Sequence, residues 1–208
     1  MQRDENRNMA ASPFYNAGNR QLQDEFGSRA LADRLTQFTR YEFTDADRGF
    51  IGSLPFFFIA TADAAGRPDC SFKGGAPGFV QVTGPTELAF PDYDGNGMFK
   101  SLGNVLENPQ VGLLFIAMNN KPQRLRVNGV ASIDRNDPLL CQTVGAQLIV
   151  RVKADAIFAN CPRYIPDIEN GQAARHAPIA GVETPDAEWK ALDFVSDVAP
   201  PRRPTFKG

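Results

Sequence analysis

From Asn19 the apolar positions Leu22, Phe26, Leu31, Leu35 and Phe38 recur at helical spacing, with a slip near Gly27, and predict an amphipathic helix over about 20–40. Thr44 followed by Asp47 has the form of a capping box and predicts a short helix ending near Gly52. Beyond it the pattern changes to sheet. Phe56 to Thr61 is a compact aromatic and branched run, closed by Pro55 on one side and the turn Ala65-Gly66-Arg67-Pro68 on the other. Further strands are expected at Asp69 to Lys73, Phe79 to Thr83, Thr86 to Phe90, Val111 to Met118, Arg124 to Ile133 and Leu148 to Phe158. Gly84-Pro85 marks a hairpin between two of them, and Met98 to Leu106 predicts a helix ended by Asn108-Pro109. Parallel sheets need crossover connections, and helices are too few here to supply them. The pattern therefore predicts a mainly β fold, an antiparallel barrel with flanking helices. Residues 1–17 read as a loose arm, 18–170 as the barrel domain, and 171–208, rich in proline, as an extended tail with a short helical segment from Asp186 to Phe194 around Trp189.

Composition narrows the chemistry. A chain of 208 residues with 42% hydrophobic residues can bury a core of its own. Its 22 basic side chains against 24 acidic ones provide no positive surplus for nucleic acid. The single histidine, His176, cannot build a zinc site with two His ligands, and Cys70, Cys141 and Cys161 contain no C-x-x-C pair. No metal site is expected. Sparse cysteines suit a reducing compartment, where small thiols pack as buried apolar groups, and Cys161 is read as such. The polar start and the shortness of the apolar run Leu54 to Ala60 predict a cytoplasmic protein without a membrane partner.

Three segments could carry a ligand. In Ser71-Phe72-Lys73-Gly74-Gly75-Ala76-Pro77-Gly78 a hydroxyl and a cation stand beside glycines that let a backbone approach an anion, although a plain glycine-rich turn has the same composition. Pro91-Asp92-Tyr93-Asp94-Gly95-Asn96-Gly97-Met98-Phe99-Lys100-Ser101 is a loop entering a helix, whose free N–H groups, Lys100 and Ser101 would suit a phosphate. It matches neither the P-loop nor the dinucleotide fingerprint, and a surface loop with an Asn-Gly turn remains open. Arg124, Arg126 and Asn128 share one face of their strand, opposite Leu125 and Val127, either toward a polar ligand or toward solvent. His176 reads as a surface residue and Trp189 as an anchor of the tail, while Arg163 is a strand-end cation within reach of a ligand.

The order of these motifs resembles the pyridoxamine 5′-phosphate oxidase-related FMN-binding proteins. The resemblance rests on Phe58-Ile59-Ala60-Thr61-Ala62-Asp63 with Gly66-Arg67-Pro68, Cys70-Ser71-Phe72-Lys73-Gly74-Gly75, Pro77-Gly78-Phe79-Val80, Phe90 to Met98, Ser101-Leu102-Gly103-Asn104, Asn108-Pro109, Gly112-Leu113-Leu114-Phe115 and Arg124 to Gly129. It spans about residues 20–165. It implies an FMN-binding split β-barrel and a homodimer with FMN at the subunit interface. By motif it implies flavin contacts from Ser71, Lys73 and Gly74, from Asn96, Lys100 and Ser101, from the backbone at Pro91 and Asp92, and from Arg124 and Arg126. Two departures stand against vitamin B6 oxidation itself. Met98-Phe99-Lys100 replaces the oxidases' Ser-Arg-Lys, and the end of the chain lacks their Trp- and Arg-rich segment.

The expected activity is an FMN-dependent oxidoreductase that passes a hydride between a small-molecule substrate and flavin N5, with no acid or base assigned. The alternative is a non-catalytic FMN-binding or redox-sensing protein. Haem and a deazaflavin are weaker alternatives, haem because no histidine stands where an axial ligand would.

Overall fold

Strand pairing follows the apolar runs. In this computed structural model, which describes residues 14–182 and 184–200, β1 (Phe56–Ala62), β2 (Pro68–Gly74), β3 (Gln81–Val82), β4 (Glu87–Tyr93), β5 (Gln110–Ala117), β6 (Gln123–Asp134) and β7 (Ala146–Ala159) form one sheet. Their order is β2-β1-β5-β6-β7-β4-β3, and every pairing is antiparallel. Residues 1–13, most of the expected arm, and 201–208 at the end of the expected tail lie outside the described residues. The strand expected over Phe79 to Thr83 shrinks to two paired residues.

The chain divides into two units. The first, Thr39–Ala177, holds the sheet. Alternate residues of β1, β5, β6 and β7 face its core, where Phe57, Phe115, Val127, Val152 and Ile157 are fully buried. β6 and β7 are the longest strands, and a bulge bends them: Asn128 pairs with Ala156 but Gly129 with Ala154, leaving Asp155 over. Across it the core-facing set of β7 passes from Val150, Val152 and Ala154 to Ile157. A side chain at Gly129 would begin 2.2 Å from the Lys153 carbonyl oxygen, so only glycine fits there.

Before the sheet comes α3 (Asp45–Ser53), whose capping box of Thr44 and Asp47 forms as expected. Arg40 pairs with the same Asp47, holding the helix start to the chain that enters it. Between β4 and β5 runs α4 (Lys100–Glu107), burying Leu102 and Val105 against the core. β2 is one edge of the sheet and β4 the second strand from the other, yet Lys73 Nζ lies 3.7 Å from the Asp92 carboxylate. The sheet therefore curls until its two ends face one another across a seam.

The second unit joins the two terminal segments, up to Phe38 and from Pro178. The helix expected over 20–40 is two helices, α1 (Ala17–Glu25) and α2 (Arg29–Thr36), because Gly27 takes the left-handed conformation (φ 63°) and ends the first. Asn16 and Asn19 cap α1 reciprocally at 2.9 and 3.0 Å. Arg34 donates to Asp197 and to the Phe194 carbonyl, and the Phe38 and Phe194 rings meet edge to face at 5.1 Å. Of the helical segment expected from Asp186, one 3-10 turn at Glu188–Ala191 forms; Ala187 and Val195 are buried beside it and Trp189 half-buried. Among the described residues no helix is long and apolar enough to cross a membrane.

Candidate functional site

At the seam lies a cleft of about 530 Å³, lined by β2, the end of β4 and the loop into α4. Register explains the β2 contribution. Asp69, Ser71 and Lys73 stand opposite Thr61, Ile59 and Phe57, so they occupy the core-facing side of an edge strand and open into the seam. Across it, Asp92 is 7% exposed and ion-paired to Lys73. Gln147 of β7 donates from Nε2 to the Asp92 carboxylate at 2.9 Å and to the Tyr93 carbonyl at 3.1 Å. These bonds hold the end of β4 where its pairing with β7 slips at Asp92 and Tyr93.

The loop that follows bends sharply before the helix. Asn96 accepts the Met98 N–H at 3.0 Å, an Asx turn. Gly97 has φ 72° and Phe99 φ 47°, the one non-glycine residue in the left-handed region among those described. Phe99 is also the N-cap of α4 and has no oxygen with which to cap it. The first-turn N–H groups of α4 thus carry the helix's partial positive charge toward the cleft without a capping side chain. Lys100 Nζ lies 3.4 Å from Asn104 Oδ1, and Asn104 donates to Thr61 across a buried 3.0 Å bond. The Ser101 hydroxyl donates to Asp69 at 3.2 Å.

Six of the ten residues expected at the flavin line this one cleft: Ser71, Lys73, Asp92, Asn96, Lys100 and Ser101. Gly74 and Pro91 adjoin it in sequence without lining it; Gly74 instead makes room for the Phe72 ring, 2.8 Å from where a Cβ would stand. Arg124 and Arg126 are elsewhere. Arg126 pairs with Leu114, Leu114 with Phe58 and Phe58 with Phe72, a row on the opposite face of the sheet from Phe57 and Lys73. Burial, and then the neighbouring Arg126, lower the pKa of Arg124, with Cys161 opposing.

Asp69 and Gln147 were not singled out from the sequence. Asp69 had a signal, lying two residues before Ser71 on the same strand face. Gln147 had none, since it reaches Asp92 from 55 residues away. The expectation of buried thiols fails: Cys70 and Cys141 are exposed and Cys161 is half-buried. Cys70 faces outward because it pairs with Ala60, on the side of an edge strand away from the core. His176 is half-buried, not a surface residue, and its Nε2 has no hydrogen-bond partner. Among the described residues no three His, Cys, Asp or Glu side chains gather as metal ligands would.

A profile of the family described as pyridoxamine 5′-phosphate oxidase matches residues 43–176, and the chain belongs to that family. Its antiparallel sheet with flanking helices is the family's mainly β split barrel. No curated protein matches the chain. Among solved structures, an FMN-binding protein from Syntrophomonas wolfei is similar at 13% identity, covering 68% of this chain and 96% of its own, with TM-score 0.44. A Lactobacillus delbrueckii protein named as a candidate pyridoxamine 5′-phosphate oxidase is 20% identical over 58% of this chain and 96% of its own, with TM-score 0.47. HutZ, the haem storage protein of Vibrio cholerae, is 19% identical over 57% of this chain and 94% of its own, with TM-score 0.43.

Proposed function

We infer that the protein binds FMN in the seam cleft and acts as an FMN-dependent oxidoreductase on a small molecule. The observation that carries this reading is the convergence of Lys73, Lys100, Ser71 and Ser101 on a cleft that also receives the uncapped start of α4. Two ammonium groups and free backbone N–H groups are donors that suit a phosphate monoester, and the Ser101 hydroxyl would join them on leaving Asp69. The cleft volume of about 530 Å³ is within the range of cofactor sites. Phe99, where the oxidases carry arginine, removes one phosphate cation but adds an exposed ring beside the loop.

FMN when bound supplies the redox chemistry, exchanging a hydride with substrate at N5. The chain's own residues bind and orient. Lys100 and Ser101 meet the phosphate from the first helical turn, and Lys73 from the facing strand. Asp92, fixed by Gln147, holds Lys73 at the seam.

A homodimer belongs to the same proposal. On the outer face of β1 and β2 the rings of Phe56, Phe58 and Phe72 contact one another at 5.5–6.0 Å, and Phe72 is 60% exposed. Such a patch suits a second copy of the chain.

The test is direct. The purified protein is expected to be yellow and to release about one FMN per subunit on heat denaturation, identified by chromatography. A colourless protein that takes up no added FMN would sink the reading. A loaded protein whose flavin neither accepts electrons from small-molecule donors nor returns them to an acceptor would be a carrier or sensor, the alternative reading.

A further inference from the structure

In the seam cleft two ammonium groups, Lys73 and Lys100, stand among three carboxylates, Asp69, Asp92 and Asp94. The formal charge of the lining is thus negative before any ligand arrives, which opposes a fully ionised oxyanion. The three carboxylates are not equivalent. Asp92 is already engaged, taking the Gln147 amide at 2.9 Å and the Lys73 ammonium at 3.7 Å. Asp94 is exposed on the rim. Asp69 is half-buried, and among the described residues its carboxylate accepts one hydrogen bond, from the neutral Ser101 hydroxyl at 3.2 Å. Register fixes it there. Asp69 stands opposite Thr61, and Thr61 accepts the buried bond from Asn104, one turn along α4 from Ser101. β1 and β2 together therefore present Asp69 to the first turn of the helix, where the uncapped N–H groups draw an oxyanion in. An ionised carboxylate accepts hydrogen bonds and donates none. At that point it is satisfied by an oxyanion that still carries a proton, and it repels one that does not.

We propose that Asp69 determines which oxyanion the cleft accepts: its carboxylate receives the O–H of a protonated phosphate, as it now receives that of Ser101, and turns away fully ionised oxyanions such as sulfate. The proposal rests on the reading that this cleft holds the flavin phosphate, and it makes the protonated monoester the form that is bound. On binding, the Ser101 hydroxyl turns from Asp69 to the phosphate and the phosphate hydroxyl takes its place, so each donor keeps an acceptor. Selectivity then comes from repulsion of the wrong anion as much as from contact with the right one.

The test is displacement of FMN at about pH 6, near the second pKa of a phosphate monoester. FMN is added to the full-length protein until bound, and its release is followed by recovery of flavin fluorescence as inorganic phosphate or sulfate is added at matched ionic strength. Inorganic phosphate retains a proton at that pH and sulfate has none. Phosphate is expected to displace FMN at a concentration about tenfold or more below that of sulfate, the worth of a hydrogen bond to a charged group. In Asp69→Asn the ratio should fall to about one, because an amide both accepts and donates and serves either anion. Asp94→Asn removes the same charge from the rim and should leave the ratio at its wild-type value. Equal displacement by both anions in the wild-type protein, or a ratio retained in Asp69→Asn, would overturn the proposal and leave the FMN reading in place. So would loss of the ratio in Asp94→Asn, since overall charge would then set it. Absence of FMN binding in the wild-type protein and both variants would overturn the FMN reading itself, and this proposal with it.

Discussion

The ammonium group of Lys73 lies 3.7 Å from the Asp92 carboxylate, so one cleft cation is already positioned before any ligand arrives. Lys73→Ala should weaken FMN binding by about 1.5–3 kcal/mol, roughly 10- to 150-fold in the dissociation constant. A fluorescence titration of the flavin measures it, and unchanged affinity would remove Lys73 from the site. Phe99 offers a second single-residue test. Its φ of 47° is strained for an aromatic residue, and asparagine tolerates that conformation. Phe99→Asn should stabilise the fold by about 1 kcal/mol and raise the thermal midpoint by roughly 2–4 °C. Calorimetry reads the shift; a lower midpoint would mean that the ring's contacts outweigh the strain. Lys73 was legible because a cation beside glycines is a local signal. The strain at Phe99 was not, because it depends on how the loop must turn to start the helix.

At the scale of elements, the β6–β7 bulge decides which side chains of β7 reach the core. Gly129→Ala would drive a methyl group into the Lys153 carbonyl, a backbone atom that cannot swing away. The expected loss is about 3 kcal/mol, measured as a lower urea midpoint at unchanged slope. A loss below about 0.5 kcal/mol would show that the two strands can separate at the bulge without penalty. The same strands are tied outward by Arg151, which donates to Glu87 at 2.7 Å and to Asp137 at 3.0 Å, joining β7 to β4 and to the turn after β6. The individual strands were readable from their apolar runs. Their bulge was not, since one extra residue changes which positions face inward without altering composition.

For the whole molecule, acid should be the limiting condition. The Arg151 guanidinium holds the Asp137 carboxyl below its ordinary range, with burial opposing. Burial raises Asp47, but its bonds from Arg40 and Thr44 outweigh that and leave it lowered. Asp63 is lowered chiefly by the Arg67 backbone N–H. Each group binds its proton less readily folded than unfolded. Their stabilisation is therefore complete above the ordinary carboxylate value of 3.8 and is lost as pH falls through the folded values. Denaturant midpoints should be flat near neutrality and drop below about pH 4. Asp137→Asn should make that drop shallower, and an unchanged profile would take Asp137 out of the account. The second molecular prediction concerns assembly. Phe72→Glu puts a charge among Phe56 and Phe58, and light scattering should show a dimer becoming a monomer with its β circular dichroism intact. Persistence of the dimer would exclude this face.

What the sequence determined by itself was the set of elements and the polar groups they carry. Apolar period, capping residues and turn residues are local, so seven strands, α3, α4 and the glycine-bearing polar segments could be read from neighbours a few positions apart. The tertiary structure decided which of those groups meet. Only the curling of the sheet brings β2 to β4, uniting Lys73 with Asp92, Gln147 and the start of α4. The same sheet carries Arg124 and Arg126 to its other face, because a strand has two sides and register assigns them. A line of residues tells which side chains alternate; it is the pairing of distant strands that fixes what each side confronts.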